Sequence, residues 1–464
     1  MTIIIGAGIT GLVLAHELSR RGMDFVVLEA ASYPGGAIRT LEVDGRLYEA
    51  GPQRTRLVPP LRALIDELGL RDELLLAPPG LPLLVYRSGR LREVPFSIPA
   101  AFRTDLISVP GKLRILLEPF TGGARPTESV ADYLVRKFGR EAYECMLGPL
   151  YGGLYASDPA DMPMRWTLSR ALETFGIEGS VLFSLARRSL RRGGGGGGGG
   201  RGRGGEGGSG SGAGSGSGRG GGSGNGSGRG GGGGGDVAPA CSFRRGMRAL
   251  PEALHGAHRE RIHLQTPARA LHRRDDGRWV VETDAGEWTG DDVVVTTPAD
   301  AAAALLSHAA PDAAARVARL NYNPLAVAYL EADVDRPAMG YQVAFGERLE
   351  TRGVTFNAHL FGRAGVYTAY LGGAKNPALV AWDDDAIAAV AASEFEQATR
   401  RPARARHVER VRMPAWDRSW AALEGLTLPE GLHVAANWES RAGVPGRIAR
   451  ARELAASLKR RRSA

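Results

Sequence analysis

One short motif near the start of the chain limits the possible fold more than any other feature. The sequence GAGITG at residues 6–11 follows an apolar run at 3–5 and precedes a stretch with helical periodicity. A second apolar run at 25–28 ends at Glu29. In such a strand–turn–helix the glycines permit a tight turn and close backbone approach to a pyrophosphate, and the acid accepts hydrogen bonds from ribose hydroxyls. The sequence therefore predicts a βαβ unit that binds a dinucleotide.

Length and cysteine content exclude several classes of protein. With 464 residues, the chain is long enough for two or three globular units. None of its apolar runs reaches the roughly 20 residues of a membrane helix, and we expect no signal peptide. The two cysteines, Cys145 and Cys241, are far apart and in no metal-like spacing. We therefore expect no metal site and a reducing compartment, the cytoplasm.

The charge balance and one low-complexity segment bear on the partners of the protein. The net charge of +9 favours anionic partners such as nucleic acid, anionic lipid or a carboxylated substrate, and an arginine- and alanine-rich coding bias explains it equally well. Residues 193–235 consist almost wholly of Gly, Ser and Arg, so we predict a disordered insertion. Because it contains no aromatic residue to stack a base, we expect no nucleic-acid partner.

The rest of the chain alternates between strand-like and helical patterns. The segment GPLYGGLYASDP at 148–159 fits neither period and offers no nucleophile, metal ligand or acid–base pair. The periodicity predicts strands at 278–284, 291–297, 325–331, 365–372 and 432–435. It predicts helices at 127–143 and 383–401, and a last helix that runs through Ala456.

Four segments spread over the chain resemble the FAD-containing, amine oxidase-like flavoproteins. They are GGAIRT at 35–40, YEAGPQR at 48–54, DDVVVTTPA at 291–299 and GLHVAANWESRAGVP at 431–445. The resemblance implies FAD as a non-covalently bound cofactor, since no His or Cys stands in a recognisable flavinylation motif. The residues that it places at the cofactor are Gly6, Ala7, Gly8, Ile9, Thr10, Gly11, Glu29, Ala30, Gly35, Gly36, Ala37, Gly51, Pro52, Gln53, Arg54, Ala268, Asn437, Ala442, Gly443 and Val444.

Further segments resemble, more narrowly, the family of protoporphyrinogen oxidase and coproporphyrinogen III oxidase. They are VADYLVRKFGREAYECMLGPLYGGLYASDPADM, SFRRGMRALPEAL, YNPLAVAYL and VYTAYLGGAKNPALVAWDDD. This resemblance implies oxidation of a porphyrinogen, protoporphyrinogen IX or coproporphyrinogen III, to the porphyrin in haem biosynthesis, with oxygen as electron acceptor. It places Gly152, Gly153 and Tyr155 at the passage to the flavin and identifies no catalytic residue. A porphyrinogen is apolar and carries propionates, so we expect an apolar cleft with basic residues at its rim.

The resemblance also implies the fold class. We expect an α/β protein with a Rossmann-type FAD-binding domain assembled from both chain ends, a mixed-sheet substrate domain, and a helical subdomain at the membrane and the substrate entrance. An apolar product makes peripheral contact with the inner membrane face a further expectation. The predicted boundaries are 1–80, 236–300 and 416–464 for the FAD-binding domain, 81–192 for the substrate and helical subdomain, 193–235 for the insertion and 301–415 for the substrate-binding domain.

Several features depart from the pattern of that family. Leu83 stands where the family often has an Arg that pairs with a propionate, and Arg87, Arg90 or Arg92 are the substitutes; we take Arg87 as the substrate-binding candidate. The sequence MPAWDRSWAALEGL at 413–426 replaces the segment that usually precedes the last strand. Two alternatives therefore stay open. One is a protein that holds FAD or a porphyrin with weak or no turnover, and the other is a different amine oxidase-like flavoenzyme, against which the PLYGGLYASDP match argues.

Overall fold

The computed structural model describes residues 1–464 except 126, 175, 178, 185–186, 188–237, 441–442 and 464. The predicted insertion at 193–235 and the predicted site residue Ala442 lie outside the described residues. The strands cover Thr2–Ile5, Phe25–Leu28, Thr40–Val43, Arg46–Glu49, Thr55–Arg56, Leu74–Leu76, Leu83–Arg87, Arg90–Glu93, Ala240–Phe243, Ile262–His263, Ala268–Arg273, Trp279–Thr283, Gly286–Gly290, Asp292–Val295, Tyr322–Ala332, Gly340–Val343, Thr351–Thr355, Val366–Gly372, Ala403–Pro414 and Leu432–Val434. The α-helices cover Ile9–Arg20, Pro59–Glu67, Ile98–Arg103, Val109–Leu116, Val130–Phe138, Arg140–Ala142, Gly148–Tyr155, Leu168–Thr174, Ala249–Ala257, Ala299–Ala309, Pro311–Val317, Asn357–Phe361, Asp384–Thr399 and Val444–Ser463.

A parallel sheet of five short strands brings together distant parts of the chain. Its order is Ile262–His263, Phe25–Leu28, Thr2–Ile5, Asp292–Val295 and Leu432–Val434. The three central strands are buried along their whole length, as in parallel sheets that are covered on both faces. Strands from the beginning, the middle and the end of the chain thus form one parallel sheet, as predicted for a Rossmann-type fold.

Two different layers cover this parallel sheet. On one face, the helices Ile9–Arg20 and Val444–Ser463 pack against each other and share a buried aliphatic cluster with Ile4 and Val294. On the other face lie a three-stranded antiparallel sheet within 268–290 and the helix Ala299–Ala309, which bury the side chains that the sheet directs to that side. The two layers fix the carboxyl ends of the parallel strands, where open α/β sheets bind ligands.

A second sheet has seven strands and is almost wholly antiparallel. Its order is Ala403–Pro414, Tyr322–Ala332, Val366–Gly372, Thr351–Thr355, Gly340–Val343, Leu83–Arg87 and Arg90–Glu93, with one parallel pair between the strands at 340 and 83. The helix Asp384–Thr399 buries Ile387, Ala391 and Phe395 against one face. The opposite face carries Tyr329 and faces Tyr48 of the first domain, so the sheet forms one wall of the space between the domains.

A helical region between residues 98 and 184 adjoins the second sheet. It contains a fully buried ion pair between Glu118 and Lys137, whose Oε1 and Nζ atoms are 2.7 Å apart. The same carboxylate also accepts hydrogen bonds from Ser180 and from the amides of Val181 and Leu182, so it joins two parts of the region. This region leaves large apolar side chains exposed at Phe102, Val109, Leu113, Leu116, Leu117, Phe120 and Phe183, and Phe96, just before it, is exposed as well.

The predicted strands are confirmed, whereas three helical segments differ from the prediction. The last helix, predicted to run through Ala456, covers Val444–Ser463 and includes most of the basic tail, because no Gly or Pro ends it there. The predicted helix 127–143 begins instead at Val130, because Ser129 and Asp132 form a capping box, and it is interrupted at Gly139, where φ is +87°. The segment 148–159 was predicted to lack a regular period, but Gly148–Tyr155 is an α-helix that continues from a π-helix at Tyr143–Leu147. This helix forms because its glycines pack closely against other parts of the protein, as described below. It does not depend on an amphipathic pattern.

Candidate functional site

The loop at residues 6–11 is a tight turn between the first strand and the first helix. Gly6 has a φ of +108°, which favours glycine. A Cβ atom at Gly11 would lie 2.1 Å from the carbonyl oxygen of Gly6, so only glycine permits this approach. A Cβ atom at Gly8 would instead meet nothing within 4 Å. The first and third glycines thus close the turn, and the second faces open space.

The open space above Gly8 is bordered by groups that suit a pyrophosphate. Gly8 is the N-cap of the helix Ile9–Arg20, and no side chain caps its free amides. Helix N-termini of this kind bind phosphate groups. The hydroxyl of Thr297 lies beside the loop and is buried without a hydrogen-bond partner in the described part of the chain. These unpaired donors fit a bound dinucleotide.

Glu29 lies at the predicted ribose position. Its carboxylate accepts hydrogen bonds from the amide of Ala7 at 2.6 Å and from the amide of Ala31 at 2.8 Å. Each oxygen keeps further lone-pair capacity for a hydroxyl donor. The amide of Thr266 donates to the Glu29 carbonyl, which brings the start of the strand Ala268–Arg273 close to Ala30. These hydrogen bonds therefore bring the glycine loop, Glu29 and the start of the strand Ala268–Arg273 close together.

The Gly-Gly turn at residues 35–36 packs directly on the glycine loop. The amide of Gly35 donates to the Ala7 carbonyl at 2.8 Å, and a Cβ atom at Gly36 would lie 3.3 Å from the Gly8 Cα atom. A Cβ atom at Gly51 would lie 1.8 Å from the Ala37 carbonyl oxygen. The two segments quoted in the sequence comparison with flavoproteins thus meet in space, on the same side as Gly8.

The side chains of Gln53 and Arg54 differ in their hydrogen bonding, although the two residues are neighbours in the sequence. The Gln53 side chain donates to the Glu49 and Gly51 carbonyls and accepts from Asn357 and Thr368, so its hydrogen-bonding capacity is used within the protein. Arg54, after Pro52 and Gln53, is half-buried, and none of the described residues forms a hydrogen bond or ion pair with it. Burial lowers the pKa of Arg54, although its guanidinium stays charged. Arg54 is therefore available to an anionic or polar ligand.

The C-terminal segment reaches the same region from the end of the last parallel strand. The hydroxyl of Tyr322 donates to the Asn437 Oδ1 atom at 3.2 Å and accepts from the amide of Ala299. Gly443 precedes the last helix with a φ of +84°, and Val444, its first residue, is buried. Arg447 is buried and donates to Ser440 and to the Ala436 carbonyl, and burial lowers its pKa to about 10.

The unusual tryptophan-rich segment supports this C-terminal turn. Trp416 and Trp420 stack with ring centroids 5.2 Å apart, and the Trp420 indole donates to the Trp438 carbonyl at 2.9 Å. The Trp438 indole in turn donates to the Thr297 carbonyl at 3.0 Å. The segment 413–426, which replaces the usual sequence, therefore holds Trp438, and with it the neighbouring Asn437, through the hydrogen bond from Trp420.

The glycines of the helix Gly148–Tyr155 pack against protein. A Cβ atom at Gly148 would lie 2.6 Å from the Phe345 ring, and one at Gly153 would lie 2.3 Å from the Gln342 Oε1 atom. Gly152 is similarly close to the Ser157 carbonyl, at 2.8 Å. These glycines let the helix approach the second sheet closely, so a direct contact of Gly152 or Gly153 with substrate stays a prediction.

Two tyrosines of this helix supply the polar groups beside the sheet. The rings of Tyr151 and Tyr155 are 5.4 Å apart and their hydroxyls form a hydrogen bond. Burial raises the pKa of both phenols, so they are neutral at ordinary pH. Across the sheet, burial raises the pKa of Tyr370 to about 12, and its hydroxyl pairs with Thr355 near Arg54. These three phenols are thus hydrogen-bond donors and not bases.

The arginines proposed to replace the missing propionate anchor have other partners or lie elsewhere. Arg87 donates to the Glu141 carboxylate at 3.2 Å and to the Leu106 carbonyl, which ties its strand to the helical region. Arg92 pairs with Asp105 at 2.9 Å. Arg90 lines a separate cavity of about 420 Å³ on the side of the sheet that carries Phe356. A contact between Arg87 and substrate stays a prediction, and it would require the Glu141 pair to open.

Sequence patterns did not point to two groups at this site. Gln342 belongs to none of the quoted segments, and the fold alone brings it to the helix Gly148–Tyr155. Thr297 lies within the segment 291–299 that resembles flavoproteins, but the resemblance did not single it out as a cofactor contact. In the described ranges, no three His, Cys, Asp or Glu side chains come together as metal ligands. None of the described helices combines the length and apolar character needed to span a bilayer.

The fold and the glycine loop define a flavoprotein of the two-domain type, and comparison with known proteins places it more narrowly. The sequence model of the family "Flavin containing amine oxidoreductase" matches residues 9–438 of this chain. The chain therefore belongs to the flavin-containing amine oxidoreductase family. FAD is its cofactor, and the open space above Gly8, the unpaired Thr297 hydroxyl and the Glu29 carboxylate fit that group.

Relatives within this family carry porphyrinogen oxidase names. The chloroplastic protoporphyrinogen oxidase of Nicotiana tabacum is 27% identical over 404 residues, which cover 82% of this chain and 68% of that protein. The coproporphyrinogen III oxidase of Staphylococcus aureus is 29% identical over 195 residues, 39% of this chain and 41% of that protein. The chain is thus similar to members of both porphyrinogen-oxidising groups.

Solved structures share the fold over almost the whole chain. A structure from Exiguobacterium sp. 255-15, provisionally assigned as a protoporphyrinogen oxidase, has a TM-score of 0.72 at 20% identity and covers 98% of both chains. Putrescine oxidase bound to putrescine has a TM-score of 0.64 at 15% identity, again over 98% of both chains. At these identities the likeness concerns the fold, and the protein is an FAD-dependent oxidoreductase by family.

Proposed function

We propose that this protein oxidises a porphyrinogen, coproporphyrinogen III or protoporphyrinogen IX, to the porphyrin in haem biosynthesis, with oxygen as the electron acceptor. The names of the relatives support this substrate class. The observation that carries the proposal is a set of contacts among the segments that resemble porphyrinogen oxidases. They are far apart in sequence and meet at the helix Gly148–Tyr155.

These contacts lead from the helix to the cofactor region. The amide of Ala374 donates to the Ala156 carbonyl at 2.9 Å, directly after the helix. Asn323 donates to the Ser157 hydroxyl at 2.7 Å. The neighbouring Tyr322 contacts Asn437 at 3.2 Å, in the C-terminal segment that resembles the flavin-contacting one. These hydrogen bonds would join the proposed substrate region to the proposed cofactor region.

The residues proposed to hold FAD are those gathered around the glycine loop. The helix amides after Gly8 and the Thr297 hydroxyl would bind the pyrophosphate, and Glu29 would accept from the ribose. Arg54 and the segment at Asn437 would lie toward the ring system. When bound, FAD supplies the two-electron acceptor for hydride removal from carbon.

The chain's own contribution to the reaction is placement and exclusion of water. Burial keeps Tyr151, Tyr155 and Tyr370 neutral, so they would orient the substrate as hydrogen-bond donors. We assign no general base among them. The half-buried Arg54 would offer a fixed positive charge in a region of low dielectric, where it interacts more strongly than in water.

Peripheral contact with a membrane face is a second part of the proposal. The helical region exposes the large apolar side chains of Phe120, Val109, Phe183 and Leu113, and exposed apolar surface is a common feature of interaction sites. An apolar product favours release toward lipid. Co-sedimentation with anionic vesicles should therefore be reduced in Phe120→Ser and unchanged in a variant of the exposed Arg348. Equal co-sedimentation of both variants and the wild type would contradict membrane contact through this surface.

The test of the proposed activity is a turnover assay on purified, FAD-loaded protein. Each porphyrinogen is supplied separately in air, and porphyrin fluorescence is compared with spontaneous oxidation and with heat-inactivated protein. We expect a rate well above both controls with at least one substrate. Stoichiometric FAD with no rate above the controls would overturn the proposal and favour a binding protein of the same fold. Oxidation of a primary amine instead would indicate an amine oxidase.

A further inference from the structure

A buried hydrogen-bond network joins the segment 49–54 to the domain of the second sheet. The Asn357 Nδ2 atom donates to the Gln53 Oε1 atom at 2.7 Å, and the Thr368 hydroxyl donates to the same oxygen at 3.0 Å. The Asn357 Nδ2 atom also donates to the Thr368 hydroxyl at 3.2 Å. Asn357 and Thr368 are fully buried and Gln53 is 7% exposed, so bulk water has little access to these bonds. The two side chains therefore hold the Gln53 carboxamide in one orientation.

The nitrogen of the same carboxamide fixes the backbone of its own segment. The Gln53 Nε2 atom donates to the carbonyls of Glu49 at 2.8 Å and of Gly51 at 3.1 Å. The hydroxyl of Tyr329, from the second sheet, donates to the same Glu49 carbonyl at 3.1 Å. All four hydrogen-bonding positions of the Gln53 carboxamide are thus occupied. Loss of either donor to its Oε1 atom should therefore loosen the backbone at residues 49–51.

Packing contacts place this segment beside the proposed cofactor space. A Cβ atom at Gly51 would lie 1.8 Å from the Ala37 carbonyl oxygen, so the two backbones are in close contact. Ala37 follows the Gly-Gly turn, in which a Cβ atom at Gly36 would lie 3.3 Å from the Gly8 Cα atom. Gly8 borders the open space where the pyrophosphate is proposed to bind. The backbone that Gln53 holds therefore adjoins the cofactor region.

The network also borders the sheet face that is proposed to receive the substrate. Thr368 and Tyr370 are two residues apart in the strand Val366–Gly372, so their side chains point to the same face of the sheet. The Tyr370 hydroxyl bonds to Thr355, and the charge of the nearby Arg54 acts on this phenol. The turn and this strand therefore meet at two successive residues of the turn, Gln53 and Arg54.

We propose that Asn357 and Thr368 are positioning residues, which hold the turn 51–54 through Gln53 so that cofactor and substrate keep a fixed separation. The part that concerns the substrate rests on the proposed function. Reaction between two bound groups depends steeply on their distance and orientation. A loosened turn should therefore slow the chemical step more than it weakens substrate binding. Because both residues belong to the domain of the second sheet, that domain helps to place the cofactor as well as the substrate.

The first test measures FAD binding in variants that keep the shape of the side chain. Thr368→Val removes the hydroxyl that donates to Gln53, and Thr368→Ser retains it. We expect the Kd for FAD, measured from the flavin fluorescence released on dilution of the holoenzyme, to rise about fivefold in Thr368→Val, the size of one hydrogen bond. In Thr368→Ser it should stay within about twofold of the wild type. Thr351→Val is the matched control, because the Thr351 hydroxyl is buried in the same sheet and has no hydrogen-bond partner among the described residues.

The second test follows flavin reduction by each porphyrinogen in the absence of oxygen. In Thr368→Val the limiting rate at saturating substrate should fall at least about tenfold, and the half-saturating concentration should change no more than about twofold. Asn357→Ala should have a similar effect. The double variant should lose less than the two single effects combined, because both residues act through the Gln53 Oε1 atom.

A purely structural role of the network predicts a different result. If Thr368→Val unfolds more easily but keeps the FAD affinity and the limiting rate of the wild type, the network only joins the domains and the proposal is overturned. Losses of the same size in Thr351→Val or Thr368→Ser would also overturn it. If neither porphyrinogen reduces the FAD-loaded wild type, the proposed function fails. The FAD affinity of Thr368→Val then still decides whether Asn357 and Thr368 position the cofactor.

Discussion

The loop at residues 6–11 and the helix Gly148–Tyr155 are both rich in glycine, but the space around their glycines differs. A Cβ atom at Gly8 would meet nothing within 4 Å, whereas one at Gly148 or Gly153 would overlap Phe345 or Gln342. In the first segment, two glycines shape the turn so that a third can face a ligand. In the second, glycines shorten the distance between a helix and a sheet. Glycine content alone therefore identifies neither a ligand contact nor a packing contact.

The largest combined effect, on both stability and FAD content, is expected at the third glycine of the loop. Gly11→Ala would place its Cβ atom 2.1 Å from the Gly6 carbonyl oxygen, and only a backbone shift relieves this overlap. We expect a loss of about 3 kcal/mol in the free energy of unfolding, at the upper end for overpacking, together with loss of FAD. Thermal unfolding and the flavin-to-protein absorbance ratio measure both quantities.

Gly8→Ala is the matched variant in the same loop. Because its Cβ atom meets no protein atom, the stability of the apoprotein should stay within about 0.5 kcal/mol of the wild type. FAD affinity should fall at least about tenfold, since the methyl group occupies the proposed pyrophosphate space. Equal FAD affinity in Gly8→Ala and the wild type would contradict the assignment of this space to the cofactor.

The next largest effect concerns the ion pair that holds the helical region together. Glu118→Gln leaves the fully buried Lys137 ammonium without its counter-ion, which should cost about 3–5 kcal/mol of unfolding free energy. The flavin spectrum of the protein that remains folded should be unaltered, because the pair lies outside the cofactor region. Denaturant unfolding followed by tryptophan and by flavin fluorescence separates the two regions.

The same pair predicts a pH dependence. Burial alone would raise the pKa of Glu118, but hydrogen bonds from Lys137, Ser180 and two amides outweigh it and hold the pKa below its ordinary value. A carboxyl whose pKa is lower in the folded state contributes stability above its unfolded pKa and loses it as the pH falls through the folded value. The wild type should therefore lose stability in acid more steeply than Glu118→Gln. Parallel stability profiles of the two proteins would contradict this prediction.

Smaller effects are expected in the helix Gly148–Tyr155. Replacing glycine by alanine within a helix usually stabilises it by about 1 kcal/mol, but the overlap should reverse the sign here. We expect Gly148→Ala to destabilise by about 2 kcal/mol, because the Phe345 ring is rigid, and Gly153→Ala by about 1 kcal/mol, because the Gln342 side chain can move. Thermal unfolding of both variants measures this order.

A double-mutant cycle tests the packing explanation for Gly153. Gln342→Ser shortens the side chain that the new methyl group would meet, so Gly153→Ala should be neutral or stabilising in that background. Additive effects of the two substitutions would show that Gly153 is not held by this contact. They would also strengthen the alternative that Gly153 faces the substrate.

The two segments also differ in how well the sequence predicts them. Around Gly8 the pattern is local, since strand, turn, helix and Glu29 follow one another within one βαβ unit, and all were predicted. The helix Gly148–Tyr155 was not, because its form depends on Phe345 and Gln342, about two hundred residues away. Arg87 is a similar case, because its partner Glu141 is 54 residues away and the sequence does not show that the two are paired.

The most direct test of the account is rapid mixing of FAD-loaded protein with each porphyrinogen in the absence of oxygen. If the cofactor region and the helix Gly148–Tyr155 form one active site, at least one substrate should abolish the absorbance of the oxidised flavin. The rate of this change should saturate with substrate concentration. The absorbance should return when air is admitted. Flavin that stays oxidised in the presence of saturating amounts of both porphyrinogens would contradict the account.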